Sequence, residues 1–119
     1  MSTGLVNNRE LGLTLGYEAT DWSTPISYLD YATAMRDWDI KVIQRNDSYI
    51  GAAFFRNDEI HVSVLPQWRG KWITRGLLRE LFSADRVTTK VTPGHDYMFD
   101  ILRRLGFVRL DDGTFVKGH

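Results

Sequence analysis

Residues 41–65 hold three strand-like segments separated by two tight turn clusters. That arrangement confines the chain to folds built on an antiparallel meander. Residues 41–44 and 49–56 are rich in β-branched and aromatic side chains, and Arg45-Asn46-Asp47-Ser48 between them is a turn cluster. Asn57-Asp58 marks a second turn, and a third strand follows over residues 59–65. In it Ile60, Val62 and Val64 share one face, and Glu59, His61, Ser63 and Leu65 share the other. Pro66 ends the strand, because it has no N–H to give to a ladder.

Around this meander the periodicity predicts further elements. Residues 1–10 are polar and read as a flexible arm or a short helix. Leu11, Leu13, Leu15 and Tyr17 alternate with Gly12, Thr14 and Gly16, which predicts a half-buried strand over 11–17. Ser23 or Thr24 can cap a helix with Pro25 in its first turn, and Ile26, Leu29, Ala32 and Met35 extend it over 25–37. After the meander, Ile73, Leu77, Leu78, Leu81 and Phe82 predict a helix over 71–83. Residues 86–91 are a β-branched strand, broken by Thr92-Pro93-Gly94, and residues 97–105 are a helix. Gly106 stands where a left-handed cap would end that helix. Residues 107–110 and 114–117 form a closing hairpin about Asp111-Asp112-Gly113. The predicted order is β-α-β-β-β-α-β-α-β-β over one domain of residues 1–119. It implies a mixed, mostly antiparallel sheet with helices on both faces, an α/β (α+β) architecture.

Composition narrows the function classes. The 15 Lys+Arg and 15 Asp+Glu cancel, which argues against a general nucleic-acid or membrane-surface binder. With no cysteine there is no disulfide framework, thiol nucleophile or thiolate zinc site. No His-x-x-x-His pair, acidic metal cluster, Walker loop or nucleophile elbow occurs, so no metal is expected. The apolar runs are too short to span a bilayer, and residues 1–9 lack a signal-peptide core, so a cytoplasmic protein is expected. Of the four tryptophans, Trp22 and Trp38 read as core, whereas Trp68 and Trp72 flank a basic turn and are expected to be partly exposed.

That basic turn is the most informative stretch. A strand ending at Val64-Leu65 runs through Pro66-Gln67-Trp68 into Arg69-Gly70-Lys71 and then a helix. Arg69, Lys71, Arg75 and Arg79 lie within eleven residues of a chain that is neutral overall, a local basic pole suited to phosphate groups. A solvated basic face on an amphipathic helix is the competing reading.

The Val-x-Pro strand end, the Arg-Gly-Lys turn and the following helix resemble the cofactor motif of the GNAT N-acetyltransferase family. Ile50-Gly51-Ala52-Ala53-Phe54 resembles a strand of that family's central meander, and Leu105-Gly106-Phe107 resembles the segment after its last helix. The resemblance covers residues 12–117. It implies acetyl-CoA as cofactor and an amine as acceptor. The pyrophosphate would lie on Arg69, Gly70, Lys71, Trp72, Ile73 and Thr74, and the pantetheine arm along the backbone of Val64 and Leu65. Trp72 and Thr74 stand where the family has small residues, and Leu102 where it often has a Tyr that protonates the leaving thiolate. One helix instead of two is expected before the meander, and His95 or Asp96 replaces an Asn at the start of the last helix.

Transfer to an amine requires a group that removes a proton, and Glu59 and His61 on one face of the third strand are the candidates. Against this, Glu59 can belong to the preceding turn and His61 can pack beneath a helix. Two functions follow. One is an enzyme moving acetyl from acetyl-CoA to an amine by direct attack. The other is an inactive module of the same fold, similar to short, degenerate chains carried by bacteriophages, with a virion or host protein as partner. The first requires a V-shaped gap between the strands at 59–65 and 86–91, unblocked by Trp72; an indole filling it is incompatible with transfer.

Overall fold

A computed structural model describes residues 3–20, 25–69, 71–91 and 96–118. The elements run β1 (Thr3–Val6), α1 (Arg9–Ala19), α2 (Tyr28–Ala34), β2 (Asp39–Arg45), β3 (Ser48–Arg56) and β4 (Glu59–Val64). A 3-10 turn (Pro66–Trp68) leads to α3 (Arg75–Leu81), β5 (Arg86–Thr89), α4 (Tyr97–Arg104), β6 (Val108–Arg109) and β7 (Phe115–Gly118). The seven strands form one sheet in the order β1-β2-β3-β4-β5-β7-β6. Every neighbouring pair is antiparallel except β4–β5. The expected mixed, mostly antiparallel sheet with helices on both faces is therefore the architecture.

The meander forms as its turns dictate. Arg45 pairs with Ser48 and Arg56 with Glu59, leaving two-residue loops that begin at Asn46 and Asn57. Both asparagines take left-handed φ, 54° and 55°, which Asn tolerates better than most residues. Alternation then sorts the side chains. Ile43, Ile60, Val64, Leu77, Leu81, Val87 and Leu102 build a core under α3 and α4. Leu13, Tyr31, Trp38, Ile40, Ala52 and Phe54 build a second under α1 and α2.

Five expectations are corrected. Residues 11–17 are not a strand; they lie inside α1, whose first turn is capped by the Asn8 side chain accepting from the Leu11 N–H. The two glycines are the reason. Spaced by four, they share one helical face, and a Cβ on Gly12 would come within 2.6 Å of Ile40 Cγ2. The helix lies directly on the sheet there, and the alternating leucines only coincide with a strand period. Residues 1–10 are not wholly an arm, because Thr3–Val6 pairs antiparallel with β2. Glu80 of α3 accepts from the Leu5 N–H at 2.9 Å, satisfying a donor on this edge strand.

The helix expected over 25–37 spans only Tyr28–Ala34, capped by Ser27 accepting from the Asp30 N–H; Ser23 and Thr24 lie outside the described residues. With α1 before it, two helices precede β2, not one. The Arg9 side chain closes the end of α2 by donating to the carbonyls of Met35, Arg36 and Trp38. Lastly, α3 begins at Arg75 and not at 71, because Thr74 caps it by accepting from the Leu77 N–H at 3.1 Å.

The helix over 97–105 ends as expected. Gly106 has φ 96°, its N–H donates to the Arg103 carbonyl, and the Phe107 N–H donates to the Leu102 carbonyl. This is a Schellman cap.

Candidate active site

β4 and β5 run parallel but meet at one register pair only, Glu59 with Thr88. Asp58 clamps that end: its carbonyl accepts from the Thr88 N–H at 2.7 Å and its carboxylate from Arg86 Nε at 2.8 Å. Beyond this clamp the strands part. The Leu65 N–H donates to the Ile50 carbonyl, so alternation along β4 turns the backbone groups of Val62 and Val64 toward the gap.

The gap forms a cleft, with a cavity volume of about 50 Å³, between Ile60, Val62 and Val64 on one side and Thr89 and Val91 on the other. Trp72 walls it. The indole is 2% exposed, contrary to the partial exposure expected beside a basic turn, and its Nε1 lies 3.4 Å from the Tyr97 hydroxyl. With the indole in this position the cleft is narrow, and a pantetheine arm entering it would lie against Trp72.

The loop residues are committed elsewhere. Arg69 donates through Nε to the Val64 carbonyl at 3.2 Å and through Nη2 to the Ala19 carbonyl at 2.8 Å. The Leu65 carbonyl accepts from the Trp68 N–H, so both Leu65 backbone groups have protein partners. Lys71 is exposed, and its N–H donates to the Trp68 carbonyl. Ile73 packs against the α3–α4 core, and Thr74 is the helix cap already described. Gly70 lies outside the described residues, as do His95, His119 and Trp22.

Glu59 and His61 come together on the other face of β4. His61 Nε2 meets Glu59 Oε2, and Glu59 Oε1 is 3.8 Å from Arg56 Nη2. Their side chains are 37% and 34% exposed, so both remain reachable from solvent. The imidazole also stands edge-on to Trp38, 5.3 Å between ring centroids, which satisfies the packing reading of His61 as well. The dyad flanks the point where β4 and β5 part, while Arg69 and Trp72 lie at the far end of the strand. Leu102 is 1% exposed and belongs to the core. Tyr97, more than one helical turn before Leu102 and not a candidate by spacing, lines the cavity beside Trp72. Only the three-dimensional closure of α4 over β5 reveals it.

This sheet, with β4 and β5 parted and helices on both faces, has the fold of the GNAT N-acetyltransferases. A GCN5-related N-acetyltransferase from Rhodopseudomonas palustris superposes with TM-score 0.63 at 14% identity, over 99% of this chain and 95% of that one. The ribosomal-protein-S18-alanine N-acetyltransferase from Escherichia coli gives 0.61 at 15% identity, over 97% and 90%. A chain of the NatC complex bound to Gag peptide and CoA gives 0.64 at 15% identity, over 100% and 99%. At such identities the likeness is one of fold. No protein-family model matches the sequence, and no curated protein matches it. Among the described residues, no helix is long and apolar enough to cross a membrane.

Proposed function

We propose that the chain is an N-acetyltransferase-like domain that binds a protein partner and keeps its acyl-CoA cleft shut with its own Trp72. The burial of that indole against the wall of the cleft carries the reading. Turning an indole into water exposes roughly 150–250 Å², which costs about 4–6 kcal/mol. A cofactor entering the cleft would bind on the order of a thousandfold or more weaker for that cost. The engagement of Arg69 with Val64 and Ala19, and Leu102 in the core, support the same reading. A virion or host protein is the class of partner to try first.

A second reading is favoured by the parting of β4 from β5 and by the Glu59–His61 pair beside it. In it the chain transfers acetyl from acetyl-CoA to an amine in the cytoplasm. Arg69 through Thr74 would hold the pyrophosphate, Val64 and Leu65 would pair with pantetheine, and Glu59 or His61 would take the amine proton.

Calorimetric titration with acetyl-CoA separates the two. The first reading expects no binding at millimolar cofactor, and binding that emerges in Trp72→Gly. Micromolar binding to the unaltered chain, lost in Arg69→Ala, would establish the second reading instead.

A further inference from the structure

Outside the cleft, α3 and the end of α4 bound a second groove of about 280 Å³ with Leu78, Phe82 and Leu105 as its floor. Arg75, Arg79 and Lys117 stand around it, all exposed. None of the three makes a hydrogen bond or ion pair among the described residues. No acidic side chain lines the groove. The one carboxylate of α3, Glu80, is held by the Leu5 N–H. Three like charges around an apolar floor repel one another, and an acidic occupant would relieve that.

The wider charge distribution agrees. Residues 1–69 carry six basic and nine acidic side chains, residues 70–119 nine basic and six acidic, so the neutral chain has a positive half that contains this groove. Size and shape limit the occupant. The groove is open and of about 280 Å³, room for one large side chain. Its apolar floor has no use for a bare phosphate. Three clustered cations are too few to track a nucleic-acid backbone.

We infer that this groove docks an acidic segment of a partner protein: one large apolar side chain seated on Leu78, Phe82 and Leu105, with flanking carboxylates on Arg75, Arg79 and Lys117. The inference rests on the protein-binding reading above and names the partner's chemistry.

The probe is a short fluorescein-labelled peptide with a leucine between aspartates, followed by fluorescence anisotropy, with an asparagine-for-aspartate twin as control. The acidic probe should saturate and the twin should not. Arg79→Glu and Lys117→Glu, both at exposed positions, should each weaken binding by about tenfold or more. Raising salt should weaken it further. Equal binding of the two peptides, or unchanged binding in both variants, would overturn the inference. So would displacement of the probe by inorganic phosphate, or a concentration-dependent dimer abolished by Lys117→Glu. Acetyl-CoA titration of the same sample reports separately on the cleft. Tight cofactor binding beside a silent peptide assay refutes both readings; a silent cofactor titration beside a silent peptide assay refutes the groove alone.

Discussion

The Arg69 guanidinium donates to the Val64 carbonyl across 3.2 Å, while its other arm reaches the Ala19 carbonyl at 2.8 Å. One half-buried cation thus ties the end of β4 to the end of α1. A residue whose sequence context marks it for phosphate is employed as a structural strut.

Arg69→Ala should therefore lower stability. Hydrogen bonds to a charged group contribute about 1.5–3 kcal/mol each, and partial exposure discounts that, so a loss of about 1–3 kcal/mol is expected in urea denaturation. An unchanged midpoint would show that the strut is dispensable and return Arg69 to the role its motif implies.

Gly16→Ala should destabilise although Ala is the better helix former by about 1 kcal/mol. A Cβ there would overlap the Phe54 ring and come within 2.6 Å of the Tyr31 hydroxyl. Overpacking of this kind costs about 1–3 kcal/mol. A rise in melting temperature would mean that α1 stands further from the sheet than described.

Gly106→Val tests the cap of α4. At φ 96° a β-branched side chain is strained, and the loss should be about 1 kcal/mol or more. Thermal unfolding measures it, and an unaltered transition would place the helix end elsewhere.

Tyr31 gives the fold an alkaline limit. Burial, with a smaller contribution from Tyr28, pushes its hydroxyl from the ordinary value of 10.0 up to about 12. Between those values the folded chain holds a proton that the unfolded chain releases. Stability is thus full below pH 10 and falls as pH rises toward 12, by about 2–3 kcal/mol in all. Denaturation profiles over that range should show the fall, and Tyr31→Phe should flatten it. A wild-type profile as flat as the variant's would refute it.

What could be read in the sequence was local. The turns at Asn46 and Asn57, the cap at Gly106 and the closing hairpin about Gly113 depend on backbone preferences within a few residues, and all stand where the pattern puts them. What was missed is settled by distant partners. Gly12 and Gly16 mark a helix only because Ile40 and Phe54 lie against them; Thr3–Val6 is a strand only because β2 offers an edge and Glu80 a carboxylate. The candidate site divides the same way. The closeness of Glu59 and His61 follows from strand alternation. The burial of Trp72 depends on α4, which lies 25 residues away in sequence at Tyr97.

The glycine pair in α1 has a mechanical consequence. With Ile40 and Phe54 packed straight against the backbone of α1, that face of the molecule is an anvil: a slide of the helix drives its backbone into them. Any breathing that empties the space around Trp72 must be carried by the opposite side, by the connection between β4 and α3 and by α4, moving over a floor that stays still.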